Sequence, residues 1–523
     1  MSRGDKVRYT SRMHFARVYG GQPALPSATI VTVETDMTKG LHAFTIVGLP
    51  DKSVAEARDR VASAIKNTTV NDEKLQSPKS TNKKIVISLA PAELKKEGAV
   101  FDVPAALSYL LASHQIKFDP KGRMFAGELA LDGTLRPIRG ALALARAAKE
   151  KKFQELYIPA DNAQEASLVS DIAIIPVRDL EELLSHLTSD KHRIPKYKRI
   201  SAARNDDLET ALDDIRGQES AKRALEIATA GRHNIALYGP PGTGKTMLAR
   251  AAAALLPDLS EDEAIEVTTI HSLVGALSDA AIIRPPFRSP HHTSSYASII
   301  GGGSTPRPGE VTLAHRGVLF CDEFPEFHRD VVNALREPLE DKVVSVARAK
   351  SSATYPANFM LIAALNPCPC GFWGSERCEC MPHLVEKYRR KISGPIADRI
   401  DMWVTVPEIP PENLSSKAKR SGGETTAARK RIENARTSQK KRFSSARTLT
   451  TNADMSAKDI EKYAALSDAA ENVLIEAARK MKLSPRGYHR TIKLARTIAD
   501  LAGDNAIETP HMLEALQYRA REF

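Results

Sequence analysis

The 523-residue sequence lacks the marks of a secreted or membrane-spanning protein. No apolar run approaches the roughly 20 residues that a helix needs to cross a bilayer. The basic N-terminus, MSRGDKVRYTSRMHFARVYGG, has no apolar stretch followed by small residues, so it does not predict a secretory signal. No repeat with a period of about 20 to 50 residues is found, which argues against a solenoid. We therefore expect a cytoplasmic protein with no membrane partner.

Cysteine is scarce, and its spacing is informative. Four of the five cysteines form two C-x-C pairs, Cys368 with Cys370 and Cys378 with Cys380. The fifth, Cys321, lies apart from them in the sequence. In a reducing compartment this compact spacing favours a metal over disulfides. Four thiolates can surround Zn²⁺ in a tetrahedron at about 2.3 Å, so we predict a structural zinc site. His383 is a possible substitute ligand, and four metal-free thiols are the alternative.

The charge is strongly positive, with a formal net charge of +11 and a pI near 9.2. Residues 411–450 contain eleven Lys or Arg against three Glu, separated by Ser, Gly and Thr. This segment predicts either a solvated basic linker or a stretch that contacts phosphates, because phosphate contacts need only flexible cations. Both interpretations stay open.

The pattern of apolar residues predicts a multidomain α/β protein. Strand-like runs at Ala28–Val33, Ala43–Val47 and Lys84–Leu89 alternate with helical periodicity at Ser53–Ile65 and Val103–Leu111. We predict an N-terminal α/β domain over 1–187, a linker over 188–206, a central α/β domain over 207–410, a basic linker over 411–452 and a helical domain over 453–523.

The central domain contains a phosphate-binding motif after a short apolar strand and before a helix. It fits G-x-x-x-x-G-K-[ST] and comprises Gly239, Pro240, Pro241, Gly242, Thr243, Gly244, Lys245 and Thr246. The backbone N–H groups and the helix N-terminus bind phosphates, Lys245 reaches the β- and γ-phosphates of ATP, and Thr246 ligates Mg²⁺. The motif therefore predicts a P-loop ATPase.

Three polar residues further along the chain complete the predicted ATP site. Asp322 and Glu323 end the apolar run GVLFCDE, where Asp322 would hold Mg²⁺ through water and Glu323 would orient and deprotonate the attacking water. Asn366 ends the next apolar run, FMLIAALN, and can position that water; a strand-terminating Asn without a role is the alternative. Cys321 has the pattern of a small packed residue.

These motifs resemble the magnesium-chelatase-like AAA+ ATPases of the ComM/YifB type. The similar segments are FTIVGLPDKSVAEARDRV, SPHHTSSYASIIGGGSTPRPGEVTLAHRGVLFCDEFPEF, TYPANFMLIAALNPCPCG, SGPIADRID and LSPRGYHRTIKLARTIADL. The resemblance implies that Asn366 is sensor 1, Arg399 the arginine finger and Arg486 the sensor 2 residue of a C-terminal helical lid. It also implies a homo-hexamer that moves along single-stranded or branched DNA, with helicase and branch-migration activity in natural transformation.

The N-terminal domain resembles the proteolytic domain of Lon, but the catalytic residues are missing. By this resemblance Val100 takes the position of the nucleophilic serine and Leu144 that of the lysine. A Ser–Lys dyad needs a hydroxyl and an amine, which Val and Leu cannot supply. We therefore expect a Lon-like fold kept for structure or partner binding and not for proteolysis.

Three functions are compatible with the sequence: a DNA motor, a chelatase-type remodelling ATPase that does not act on DNA, and a protease, which the missing dyad argues against. The basic linker favours the DNA motor. The sequence VVSVARAKSSATYP predicts a β-hairpin with Arg348 and Lys350 at its tip, where strand-gripping loops of ring translocases lie; an ordinary surface hairpin is the alternative. The loop with His291, His292 and the glycines 301–303 is a second candidate for DNA contact.

Overall fold

The computed structural model describes residues 14–519 except for residues 26, 71–72, 190–191, 199–210, 278–280, 304–306, 349–350, 393, 410–422 and 447–448. The chain divides into two compact units. The N-terminal unit comprises Met1–Ala203 and Ile265–Ala281, and the C-terminal unit comprises Arg204–Ala264 and Ile282–Phe523. In the described part of the chain no helix is both long and apolar enough to cross a membrane.

The N-terminal unit is built on a four-stranded sheet. Its strands lie in the order Phe15–Gln22, Thr29–Lys39, Lys83–Ala90 and Ala43–Val47. All neighbours are antiparallel except the last pair, which is parallel. Ile85, Ile87 and Leu89 alternate along the third strand and are almost fully buried, since successive side chains point to opposite faces. The helices Lys52–Asn67 and Asp102–Ala112 complete this part of the core.

A second, parallel sheet of the N-terminal unit orders the strands Ala173–Val177, Glu155–Pro159 and Arg123–Phe125. The remaining regular elements are the helices Ala141–Glu150, Ala163–Ala166 and Leu180–Thr188, and the short strand pairs Thr69–Val70 with Glu73–Lys74 and Glu128–Leu129 with Leu135–Arg136. The predicted strands and helices of this unit are confirmed to within a few residues at the ends of most elements, because each carries its own apolar period.

Two boundaries of the predicted domains differ from the structure. Residues 192–198 of the predicted linker pack on the N-terminal unit, where Ile194 is buried and the Tyr197 N–H donates to the Ile174 carbonyl at 2.8 Å. Residues 265–281 of the predicted central domain also belong to the N-terminal unit: the Gly140 N–H donates to Ser272 Oγ at 3.1 Å. These contacts bring together residues far apart in sequence, which local composition does not reveal.

The C-terminal unit contains a five-stranded sheet in which all pairs are parallel. The strand order is Phe287–Arg288, Val318–Cys321, Met360–Leu365, Ile235–Tyr238 and Met402–Thr405. Every residue of Met360–Leu365 is buried, as expected for a parallel strand covered on both faces. Helices of this part are Glu219–Gly231, Lys245–Leu255, Tyr296–Ile299, Glu310–Leu313, Arg329–Ala334, Arg336–Asp341, Pro382–Arg389 and Gly394–Ala397. The helix Glu261–Val274 begins in this unit, but its residues from Ile265 onward belong to the N-terminal unit.

The C-terminal end of the chain forms the predicted helical region. Its helices are Ala457–Tyr463, Asp468–Lys480, Pro485–Ala502 and Thr509–Gln517. Leu494, Ala495 and Ile498 of the third helix are buried in the same core as the parallel sheet. The sheet and the C-terminal helices therefore share one hydrophobic core.

The prediction of a basic linker over 411–452 is wrong for much of its length, because Glu424–Arg442 is a 19-residue helix. Ala428, Ile432 and Ala435 of this helix recur every three or four residues and are fully buried. Arg431 pairs with Glu226, so part of the positive charge is neutralised within the unit. The buried side is mostly small residues between charged ones, which is why the composition suggested a solvated segment.

The predicted hairpin is confirmed. Val343–Arg348 and Ser351–Pro356 pair antiparallel, with Arg348 opposite Ser351. Lys350 and the side chain of Arg348 lie outside the described residues. The hairpin follows the helix Arg336–Asp341 directly and leads into the strand that ends before Asn366.

Candidate ATP-binding site and cysteine cluster

The phosphate-binding motif lies between the strand Ile235–Tyr238 and the helix Lys245–Leu255, as predicted. Gly244 caps the helix with a φ of 87°, a conformation that residues with a side chain adopt rarely. The N–H groups of the first helical turn have no partner within the helix, and the helix dipole adds partial positive charge. The loop is therefore suited to bind the phosphates of a nucleotide.

Lys245 is buried beneath this loop. Its Nζ donates to the Gly239 carbonyl at 2.6 Å, to the Pro240 carbonyl at 2.8 Å and to Asn366 Oδ1 at 3.1 Å. Burial lowers the pKa of Lys245 to about 8, although the carboxylates of Asp322 and Glu323 oppose this effect. The ammonium group thus lies between the loop and the end of the neighbouring strand, where a β- or γ-phosphate would contact it.

Sheet register brings the acidic residues to the same place. Val318–Cys321 pairs with Met360–Leu365, which in turn pairs with Ile235–Tyr238, so the carboxyl ends of three adjacent strands lie at one edge. Thr246 Oγ1 donates to Asp322 Oδ2 at 3.1 Å. A hydroxyl and a carboxylate in contact are the donor set that Mg²⁺ takes at such a site, directly or through water. The predicted residues Thr246, Asp322 and Asn366 are therefore brought together.

Glu323 follows Asp322 with a φ of 48°, in the left-handed region that is uncommon for a residue with a long side chain. Its N–H donates to Asp322 Oδ1 at 2.9 Å. Its Oε2 lies 3.4 Å from Nδ1 of His292, a residue that the sequence had suggested only for a DNA-contacting loop. Sequence spacing gives no signal for this contact.

The two predicted arginines meet at one carboxylate. Arg399, which is largely buried, and Arg486 both pair with Glu340 on the helix Arg336–Asp341. Arg399 Nη1 also donates to the Pro395 carbonyl at 2.6 Å. Glu340 was not predicted as a functional residue, because neither arginine is near it in sequence.

The four cysteines of the two C-x-C pairs also meet. Their Sγ atoms all lie within 4.8 Å of one another, and the Sγ–Sγ distances are 3.3 Å for Cys368–Cys370, 3.8 Å for Cys368–Cys378 and 3.7 Å for Cys370–Cys378. A Zn²⁺ tetrahedron with Zn–S bonds of about 2.3 Å has S–S edges of about 3.8 Å. The four thiols, Cys380 included, therefore fit a zinc ion.

The thiols of this cluster differ in acidity. The Phe372 N–H hydrogen bonds to the sulfur of Cys370 and lowers its pKa to about 6, which favours the thiolate. Burial and the neighbouring cysteine sulfurs raise the pKa of Cys378 and Cys380. Cys321 differs: it lies in the strand Val318–Cys321, and burial raises the pKa of its thiol to about 12. It packs as a small apolar residue, as predicted.

The N-terminal unit holds core residues at the two positions where Lon carries its dyad. Val100 and Leu144 are both buried in the main hydrophobic cluster. Nearby, Lys95 pairs with Glu97, and Lys96 is buried with its Nζ hydrogen bonded to the Pro91 carbonyl. These side chains are engaged in packing, hydrogen bonding and ion pairing.

The sequence is similar to magnesium-chelatase subunits and to a competence protein. Residues 211–414 match the family described as "Magnesium chelatase, subunit ChlI", residues 33–162 match "Subunit ChlI of Mg-chelatase" and residues 422–519 match "Magnesium chelatase, subunit ChlI C-terminal". The chain is 41% identical to "Competence protein ComM" of Haemophilus influenzae over 515 residues, covering 97% of this chain and 98% of that protein. The chain belongs to the ComM/YifB family. The family is magnesium-chelatase-like and of the AAA+ ATPase type.

Two further relatives show how much of the chain each similarity covers. YifB of Escherichia coli is 40% identical over 496 residues, which cover 94% of this chain and 95% of that protein. "Lon protease 2" of Bacillus subtilis is 30% identical over 218 residues, but these cover only 36% of this chain and 40% of the protease. Membership of the ComM/YifB family therefore covers nearly the whole chain, whereas similarity to Lon is partial.

Proposed function

We propose that this ComM/YifB-family chain hydrolyses ATP to move along single-stranded or branched DNA, as a helicase or branch-migration motor in the recombination of transforming DNA. The observation that carries the proposal is the assembled site of Lys245, Thr246, Asp322, Glu323 and Asn366. It occurs in a chain that resembles a competence protein over nearly its full length.

The proposed chemistry uses each residue of the site in a separate role. The phosphate loop and Lys245 bind the triphosphate, while Thr246 and Asp322 hold Mg²⁺, which neutralises phosphate charge when it is bound. Glu323 takes a proton from water as the water oxygen attacks the γ-phosphorus and the bond to the β–γ bridging oxygen breaks. Asn366 hydrogen bonds to Lys245 and would orient that water. The products are ADP and phosphate.

The proposed hexamer rests on Arg399. A finger arginine acts on the nucleotide of a neighbouring subunit, so an isolated subunit has an incomplete site. Light scattering with a non-hydrolysable ATP analogue should show a hexamer at micromolar protein. A monomer under these conditions would contradict the ring.

DNA contact is proposed at the hairpin tip. Arg348 and Lys350 should contact phosphates, so replacing both with Ala should weaken DNA binding and flatten its dependence on salt. Fluorescence anisotropy of labelled single-stranded and forked DNA at several salt concentrations measures this. Arg17→Ala with Lys79→Ala, two exposed cations of the N-terminal unit, is the matched control. Unchanged binding by the hairpin variant would remove the hairpin from the proposal.

ATP turnover with and without DNA is the test of the function as a whole. The DNA motor requires stimulation by single-stranded or branched DNA and ATP-dependent strand displacement. The competing function is a chelatase-like remodelling ATPase, which the family descriptions of all three matched regions favour. If no DNA structure changes the rate of ATP turnover and no strand displacement occurs, the result would favour the remodelling ATPase. Proteolysis is not proposed, because Val100 and Leu144 replace the dyad.

A structural zinc ion is proposed at Cys368, Cys370, Cys378 and Cys380. Four protein ligands leave no open position for water, so the ion would hold the loop and take no part in hydrolysis. Protein purified without chelator should contain close to one zinc per chain. Cys378→Ser with Cys380→Ser should lose the zinc and lower the melting temperature, whereas Cys321→Ser should keep the zinc. Folded, active ATPase with no metal other than Mg²⁺ would refute the site.

A further inference from the structure

His292 lies against the predicted general base of the ATP site. Its Nδ1 is 3.4 Å from Oε2 of Glu323, and the two side chains are 29% and 48% exposed. Both are therefore partly accessible and not fixed merely by burial. Hydrogen bonds at catalytic groups are often long before the substrate binds and shorten in the complex.

The position of His292 follows from the sheet. The strand Phe287–Arg288 is parallel to Val318–Cys321, so the chain leaves both strands at the same edge. Arg288 is fixed by two hydrogen bonds to Glu310, at 2.6 and 2.8 Å. The loop after this strand thus starts from an anchored residue and runs beside the end of the strand that carries Glu323.

Neighbouring rings hold the imidazole of His292 in place. The ring of His291 lies 4.3 Å from it between centroids, and the ring of Phe327 lies edge-on at 6.5 Å. His291 is itself fixed, because its Nδ1 lies 2.7 Å from Thr293 Oγ1. The imidazole therefore has packing contacts in addition to the one with Glu323.

We propose that His292 is a positioning residue that orients Glu323 for ATP hydrolysis. Once the 3.4 Å approach shortens, the tautomer with hydrogen on Nδ1 would let His292 donate to Oε2 and leave Oε1 to accept the proton of the attacking water. A base oriented by a third group is a recurring arrangement in enzymes. Glu323 lies two residues beyond the end of the strand Val318–Cys321, with its backbone in the left-handed region. This inference rests on the proposed ATPase function of the same site.

The test separates hydrolysis from binding. His292→Ala should lower kcat about 10- to 100-fold, the range seen when a group that orients a ligand is removed. The dissociation constant of a fluorescent ATP analogue should not change, since His292 is not in the phosphate loop. His292→Asn should recover most of kcat, because its amide nitrogen takes the place of Nδ1. His292→Gln, which places the amide further out, should recover less.

The control is His328→Ala. His328 is an exposed histidine that lines the same cavity as His292, of about 700 Å³, but its Nδ1 lies 3.5 Å from Asp330. It should keep the parent kcat. Adding His292→Ala to Glu323→Gln should cause no further loss, because there is then no base to orient.

The outcomes separate this inference from the proposed function. A parent kcat for His292→Ala, in protein whose Glu323→Gln variant is inactive, would overturn the role of His292 alone. Equal losses in the Ala, Asn and Gln variants would also overturn it, because the ring and not the donor would then matter. Full turnover by Glu323→Gln would instead contradict the assignment of the base.

Discussion

Gly371 of the cysteine loop lies directly against Pro241 of the phosphate loop. A Cβ atom added to Gly371 would be 2.5 Å from Pro241 Cδ, closer than such atoms approach, and 3.0 Å from its Cγ. In the sequence, Gly371 directly follows the first C-x-C pair and precedes the second. Cys368, the first cysteine of the cluster, is two residues beyond Asn366. The cysteine cluster is thus connected to both the phosphate loop and the residue that contacts Lys245.

Gly371→Ala should therefore weaken nucleotide binding. The added methyl group must push Pro241 or the cysteine loop away, and we expect a loss of about tenfold in affinity, or about 1.4 kcal/mol. Titration of a fluorescent ATP analogue measures the effect. Gly374→Ala is the matched control, because Gly371 and Gly374 have similar φ angles of 88° and 91° but nothing lies within 4 Å of a Cβ on Gly374. Equal affinities in the two variants would mean that the contact with Pro241 has no effect.

Lys245→Ala and Glu323→Gln should fail at different steps. Lys245→Ala removes the cation that contacts the phosphates, so nucleotide binding should be lost. Glu323→Gln removes only the base, so ATP should stay bound and unhydrolysed. Filter binding and phosphate release distinguish the two, with His328→Ala as a control for general damage. Turnover by Glu323→Gln at the parent rate would show that another group accepts the proton.

Glu340 should stabilise the nucleotide-free chain. It neutralises two guanidinium groups at once, and Arg399 is largely buried. Glu340→Gln leaves two like charges close together, so the free energy of unfolding should fall by about 1–3 kcal/mol. Asp341→Asn removes a charge from the same helix end. Because Asp341 has no ion pair among the described residues, this substitution should change the stability little. Denaturant melts of both variants make the comparison.

The sequence was sufficient where one segment carries both the fold and the chemistry. Val318–Cys321 and Met360–Leu365 are continuous apolar runs because parallel strands are buried on both faces. Each run ends in a polar residue, Asp322 or Asn366, and the shared sheet edge brings these ends together. The same reasoning applies to the hairpin Val343–Pro356, whose β-branched residues indicate strands.

The sequence was not sufficient where function depends on contacts between distant segments. Glu340 is 59 residues from Arg399 and 146 from Arg486, and no local pattern relates them. The helix Glu424–Arg442 was missed because its buried positions are mostly small residues among charges. In the sequence Gly371 is indistinguishable from other loop glycines, and only the structure shows its contact with Pro241.

ATP affinity should depend on pH through Lys245. Burial lowers its pKa to about 8 in the nucleotide-free site, so the amine is mostly charged below pH 8 and increasingly neutral above it. Bound phosphate favours the charged form and raises the pKa, so ATP binding takes up a proton. Affinity should be highest below pH 8 and fall by up to about tenfold per pH unit above it.

Calorimetric titration at pH 8 in two buffers of different ionisation enthalpy measures this proton uptake. With a pKa of about 8, half of the Lys245 side chains are neutral at this pH, so uptake should approach about half a proton per site. Lys245→Arg is the control, because a guanidinium does not lose its proton in this range. Whatever ATP binding the Arg variant retains should proceed without uptake. The same uptake in both proteins would assign the proton to another group, and Lys245 would then be charged throughout, despite its burial beneath the phosphate loop.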